Sequence, residues 1–277
     1  MTRKLLIFGG QGMLGHLLVR FLSEYGSYHI QYTTRDKQDP KGLYVDVRDP
    51  VLVDKVIEAV SPDVVINCLG VLNRFAEENP QEAYWVNGLM PHRIRAAVER
   101  EGGKLIHISS DCVFSGSRGD YKENDEPEGT TVYARSKALG EVIDYPHLTI
   151  RTSIVGPEIR KQGIGLLQWF LRQEGTVKGY TRVMWNGVTT LELAKAIHYA
   201  IEHPICGLLQ LTAPEKISKY ELLHLFQDAF DKRDVVIMPD EEIGIDRSLV
   251  NTRNDFAYEV TEYPTMLRQL ADWMRSS

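Results

Sequence analysis

The chain has 277 residues, 43% hydrophobic and 25% charged, which suits one α/β domain with a smaller appendage better than two large domains. A net charge of -6 speaks against a nucleic-acid footprint, and the odd, widely spaced Cys68, Cys112 and Cys206 speak against a disulfide framework and for reduced thiols in the cytoplasm. No charged leader runs into an apolar core, and no run approaches the roughly 18 apolar residues of a membrane span.

Lys4–Phe8, "KLLIF", is a short apolar run that ends at glycines and predicts a buried strand. Leu14, Leu17, Leu18, Phe21 and Leu22 then recur at helical spacing. Further strands are expected at His29–Thr34, Leu43–Val47, Asp63–Leu69, Lys104–Ser109 and Leu148–Ser153. Helical runs separate them, including one led by Pro50, one over Gln81–Arg100 and one over Val132–Ile143. This alternation predicts βαβ units and a doubly wound parallel sheet. Beyond Gly156 the rhythm loosens. Helices are expected at Leu166–Gln173, Leu191–Glu202, Lys219–Phe230 and Thr265–Met274, with a late strand at Gly207–Thr212. The expected division is a dinucleotide-binding domain over 1–155 and a mostly helical substrate lobe over 156–277, some of whose elements return to the sheet.

The glycines between the first strand and helix can be spelled Gly10-x-Gly12-x-x-Gly15 or Gly9-x-x-Gly12-x-x-Gly15. Either way they permit a tight turn and let a helix N-terminus meet a pyrophosphate. About 20 residues further on, where an acidic residue would hold a ribose hydroxyl, stands Arg35. Arg35 suits a 2′-phosphate and hence NADPH; the adjacent Asp36 keeps NADH open.

Tyr133 and Lys137 lie at i and i+4 of an expected helix, roughly 5–6 Å apart at Cβ. A cation beside a phenol favours phenolate and makes tyrosine a usable acid/base. Ser109, Ser110 and Asp111 follow the fifth strand, at the sheet edge where such folds bind ligands. No HExxH, Cys/His pairing, GxSxG elbow or P-loop occurs, so neither a metal site, a hydrolase triad nor a phosphotransferase is expected.

Gly9-x-x-Gly12-x-x-Gly15, Asp46-Val47, Asn67, Asn87, Ser110 and Tyr133-x-x-x-Lys137 together resemble the extended short-chain dehydrogenase/reductases. That family uses the spelling that begins at Gly9. Within it, "ISSDCVFSG", "YKENDEPEGTTVYARSKALGE" and "IRTSIVG" resemble the dTDP-4-dehydrorhamnose reductase branch. The resemblance implies a Rossmann-type fold and NADPH-dependent reduction of a nucleotide-activated 4-keto-6-deoxy sugar, in deoxysugar and polysaccharide biosynthesis. It gives Ser110 the keto oxygen, Tyr133 the proton and Lys137 the nicotinamide ribose. Gly9, Gly12, Met13, Leu14, Gly15, Arg35, Asp46, Val47, Cys68, Leu69 and Gly70 would line the cofactor. Asn87, Asp111, Val113, Trp185 and Arg247 would serve the substrate, with Met184–Thr190 and Arg247–Asn251 lining its cleft.

The branch's Tyr-Val-Phe is here Cys112-Val113-Phe114, its tryptophan falls at Ile154, and "NGVTT" (Asn186–Thr190) replaces a further motif. The chain is also similar to reductases of UDP-linked N-acetylated sugars. An epimerase and a non-catalytic NADP-binding subunit are the other readings; a dehydratase would carry a glutamate where Cys112 stands. The expected partner is a small-molecule nucleotide sugar, with neither nucleic acid nor membrane, and a homodimer is left open.

Overall fold

A computed structural model describes residues 2–159 and 163–276. The first half runs β1 (Arg3–Phe8), α1 (Gly15–Ser23), β2 (Tyr28–Thr34), β3 (Leu43–Tyr44), α2 (Pro50–Val60), β4 (Val64–Asn67), α3 (Asn73–Glu78), α4 (Pro80–Ala83), a π-helical segment (Tyr84–Leu89), α5 (Met90–Arg100), β5 (Lys104–Ile108), a 3₁₀ turn (Asp111–Val113), α6 (Val132–Leu139) and β6 (Leu148–Arg151). The second half continues with β7 (Ile154–Val155), α7 (Leu166–Leu171), β8 (Gly175–Trp185), β9 (Val188–Thr189), α8 (Thr190–Glu202), β10 (Gly207–Gln210), β11 (Ile217–Ser218), α9 (Lys219–Phe230), β12 (Val235–Asp246) and α10 (Tyr263–Arg275).

Seven strands form one parallel sheet in the order β10-β6-β5-β4-β1-β2-β3. This is the doubly wound Rossmann arrangement, with the order reversing at β1. The period of two in β1 explains its unbroken apolar run: Leu5 and Ile7 enter one core cluster, Leu6 and Phe8 the other. The first cluster receives Leu17 and Leu18 of α1 and Leu193 and Ile197 of α8. The second receives Val53 and Ile57 of α2 and Ile94 and Val98 of α5.

Three expectations are corrected. The third strand pairs over Leu43–Tyr44 only, because Asp46 already turns the chain: Asp49 N–H donates to its carbonyl, and the Asp49 carboxylate caps α2. The helix at Val132 stops at Leu139 instead of Ile143. There Gly140 passes so close to Asn87 that a Cβ would lie 1.9 Å from its carbonyl oxygen. The second half contains two long strands that the sequence reading left out. β8 and β12 pair in parallel, and β11 joins the other edge of β8. Only alternate residues of β12 are buried at its start (Val235, Ile237), and Pro239 and four acidic residues break its apolar pattern.

Candidate active site

The carboxyl ends of the central strands open onto a cleft of about 610 Å³. Its walls come from the loops after β1 (Gly9–Leu14), β3 (Val45–Arg48), β4 (Cys68–Asn73), β5 (Ser109–Cys112) and β6 (Thr152–Ser153), and from the end of β2 (Thr33–Arg35). Here the switch in strand order leaves room for a ligand.

Gly9 begins the turn. Its φ is +80°, a left-handed backbone that favours glycine, and its N–H donates to Thr33 Oγ1 at 3.2 Å. Gly15 serves helix packing: a Cβ there would lie 2.1 Å from the Gly9 carbonyl oxygen. The chain can therefore turn sharply and present the start of α1 to the cleft, the arrangement that receives a dinucleotide pyrophosphate. Gly9, Gly12, Met13 and Leu14 line the cleft; Gly15 stands behind it.

Arg35, Asp46, Val47 and Arg48 line the cleft beyond the ends of β2 and β3. Asp46 accepts from Arg48 Nε and Nη2 at 2.9 and 2.6 Å, and this pair with Arg35 nearby lowers its carboxyl to about 2. Asp36 is exposed, accepts from Gln38 N–H, and lies outside the lining.

At the other end Ser110, Asp111, Cys112, Tyr133 and Lys137 converge. Ser110 extends from the end of β5, and its Oγ donates to Asp111 Oδ1 at 3.0 Å while accepting from Cys112 N–H. Thr131 caps α6 and fixes the turn that carries Tyr133. Lys137 is 3% exposed, and its Nζ donates to the Ile108 carbonyl at 2.6 Å. Desolvation lowers it to about 8.

Tyr133 departs from the expected electrostatics. Burial raises its pKa, the Cys112 and Asp111 charges raise it further, and a hydrogen bond with Ser110 opposes them. The phenol is thus held protonated, as a proton donor needs to be.

Cys68, Leu69 and Gly70 line the cleft, and burial pushes the Cys68 thiol up to about 12, so it is inert. Asn87 is fully buried behind the wall, in the π-helical segment. Its Oδ1 accepts from Val71 N–H at 2.8 Å, and its Nδ2 donates to the Val71 carbonyl and to Ser136 Oγ. It clamps the loop after β4 to α6. Of the expected substrate residues, Asp111 reaches the cleft. Val113 is buried with Phe114, Tyr121 and Leu249. Trp185 is 3% exposed, stacks on Tyr263 and donates from Nε1 to Ser153 Oγ at 2.9 Å. Arg247 donates from Nε to the Phe114 carbonyl. None of these three, and no residue of Met184–Thr190 or Arg247–Asn251, is among the residues lining the cleft. Val113, Trp185, Val188, Thr189 and Thr190 are buried, and the second half reaches the cleft through Ile164, Gly165, Leu166 and Trp169 instead.

Sequence reasoning missed one buried network. Arg151 forms a bidentate pair with Glu141 at 2.7 Å for each bond, and Ser109 Oγ donates to the same carboxylate at 2.8 Å. The signal available was an arginine inside the apolar strand "LTIR".

Residues 3–244 match the family described as the RmlD substrate binding domain. The chain belongs to that family. It is 36% identical over 142 residues to a probable low-salt glycan biosynthesis reductase of Haloferax volcanii, covering 49% of this chain and 46% of that protein. It is 34% identical over 146 residues to dTDP-4-dehydrorhamnose reductase of Mycobacterium tuberculosis, covering 50% and 45%. The chain thus spans about half the length of these curated relatives. Among solved structures, dTDP-4-dehydrorhamnose reductase of Bacillus anthracis in complex with NADP superposes with a TM-score of 0.84 at 20% identity, covering 99% of this chain and 100% of that one. That likeness is one of fold.

Proposed function

We propose that this family member reduces the keto group of a nucleotide-activated 4-keto-6-deoxy sugar, with NADPH as cofactor. The observation that carries the reading is the convergence of Ser110, Tyr133 and Lys137 at one end of a cleft whose other end is a glycine turn beneath a helix. The family match and the reductases among the relatives support the reaction class.

The residues fit a dinucleotide. The glycine turn and the start of α1 would hold the pyrophosphate, Asp46 and Val47 the adenine side, and Arg35 a 2′-phosphate. Lys137, already fixed on the Ile108 carbonyl, would turn its remaining donors to the nicotinamide ribose. When bound, the cofactor supplies the hydride. Ser110 would orient the keto oxygen and Tyr133 would give its proton to the developing alkoxide, the electrostatic logic of an oxyanion site. Asp111, beside Ser110, can accept from a sugar hydroxyl. Because Cys112 and Ile154 line the cleft where the related branch has larger aromatic residues, UDP-linked N-acetylated 4-keto sugars belong to the same reading.

A panel of dTDP- and UDP-linked 4-keto-6-deoxy sugars, followed by NADPH oxidation, tests the proposal. Turnover is expected with at least one. Absence of turnover across the panel by protein that binds NADPH would leave a non-catalytic binding module instead.

A further inference from the structure

Asp39, in the loop between β2 and β3, is not among the residues lining the cleft, and the reaction just proposed makes no use of it. Its carboxylate nevertheless gathers three segments that bound the cleft. Oδ2 accepts from Gln11 Nε2 at 2.8 Å, and Gln11 belongs to the glycine turn and lines the cleft. The Tyr32 hydroxyl, from β2, donates to the same carboxylate, 3.1 Å from Oδ1 and 3.0 Å from Oδ2. Oδ1 also accepts from the N–H groups of Lys41 and Gly42 at 3.0 and 3.1 Å, where the loop returns to β3. The Lys41 N–H above all, with Tyr32, Gly42 and Gln11, holds the carboxyl below its ordinary range, although burial opposes them.

Two glycines allow this gathering. A Cβ on Gly10 would lie 2.4 Å from the Tyr32 ring, so Gly10 stays bare to let the ring lie against the turn. A Cβ on Gly42 would lie 2.6 Å from Thr34 Cγ2 and 2.8 Å from Asp39 Oδ2, so the returning loop closes tightly on the end of β2. Arg35 stands between these fixed points. It follows Thr34, whose Oγ1 accepts from Asp36 N–H at 3.0 Å, and it lines the cleft. We infer that Asp39 is a positioning residue for the dinucleotide: it holds the glycine turn, where the pyrophosphate would sit, at a fixed spacing from Arg35, where the 2′-phosphate would sit. The inference rests on the NADPH reading above. A ligand that bridges two sites binds well when their spacing is set before it arrives; otherwise the ordering is drawn from its own binding energy.

Fluorescence titration of NADPH and NADH with the full chain and with Asp39→Ala, Asp39→Asn and Gln11→Leu tests this, with urea midpoints as a control of the fold. Asp39→Ala releases all three segments. It should weaken NADPH about 5- to 30-fold, the ordering cost of one or two side chains passing to the ligand. NADH makes no demand on Arg35 and should lose markedly less. Asp39→Asn should keep most of the NADPH affinity, because its oxygen can accept from Lys41 and Gly42 while its amide donates to a turned Gln11 amide. Gln11→Leu cuts only the arm to the glycine turn, so it should reproduce part of the loss and add little to Asp39→Ala. Unchanged NADPH affinity in Asp39→Ala, whatever its urea midpoint, would mark Asp39 as structural and overturn the inference while leaving the reductase reading standing. Equal losses of NADPH and NADH would deny the fixed spacing, and an Asp39→Asn as weak as Asp39→Ala would deny that hydrogen bonds hold it; either overturns the inference. Should Asp39→Ala not fold, full NADPH affinity in Gln11→Leu would do the same. A wild-type chain that bound neither dinucleotide would remove the NADPH reading and this inference together.

Discussion

Tyr133 and Arg35 govern separate halves of the proposed reaction, and single substitutions separate them. Tyr133→Phe keeps the ring and removes the proton. kcat should fall roughly 10²–10⁴-fold, the usual worth of general acid catalysis, with NADPH affinity unchanged. Stopped-flow oxidation of NADPH alongside a cofactor titration reads both; wild-type turnover by the variant would place the acid elsewhere. Arg35 lines the cleft beside Asp46, while Asp36 points away. Arg35→Ala should weaken NADPH about 10- to 150-fold, the equivalent of one charge-assisted bond to phosphate, and leave NADH unchanged. Measuring kcat/KM with each cofactor checks this, and an equal loss with both would deny Arg35 the 2′-phosphate. These residues were legible because their types are restricted by chemistry and their spacing by the helix. The state of Tyr133 was not legible. Spacing put Lys137 within reach, but only the fold shows that its ammonium is held by the Ile108 carbonyl.

At the scale of elements, the sheet of the first half could be read because its central strands β1, β4, β5 and β6 are buried on both faces and the helices beside them on one, so that apolar runs and apolar stripes alternate. The strands β8 and β12 could not. Tyr180, Thr181 and Arg182 of β8 and much of β12 stay outside the core, so no apolar run marks them. The buried bond between Arg151 of β6 and Glu141 after α6 shows what such pattern-reading omits. The two side chains are 3% and 8% exposed and share their charges with Ser109 at the cleft. Removing one partner strands the other. Arg151→Met should therefore cost about 3–5 kcal/mol, and the double variant Arg151→Met/Glu141→Leu markedly less. Urea midpoints of the two single variants and the double variant decide the matter; additive losses would show that the two charges act independently.

For the molecule as a whole, Lys137 ties the proposed reaction to stability, because the fold buries its ammonium in the cleft wall. Its folded pKa of about 8 lies below the 10.5 of an unfolded lysine, desolvation being the main cause. Below about pH 8 both states carry the proton, and the folded state bears the full cost of burying the charge. Between about 8 and 10.5 the unfolded chain binds a proton that the folded chain does not, so raising the pH favours folding through this group. Lys137→Met removes both the titration and the bond to Ile108. The wild type should therefore gain on the variant across that window, by an amount on the order of 2–3 kcal/mol. At pH 7 the midpoints should lie close together, since the lost hydrogen bond is offset by the relieved desolvation. Asp46 works at the opposite end: its carboxyl, lowered to about 2 by Arg48, contributes stability above the ordinary carboxylate pKa and loses it as the pH falls towards 2. That loss is common to wild type and variant and cancels in the difference. Urea denaturation of the two proteins at intervals from pH 7 to 10.5 yields the difference directly. Parallel profiles would mean that the Lys137 ammonium keeps its ordinary proton affinity in the fold, and the floor of the cleft would then be wetter than its packing indicates.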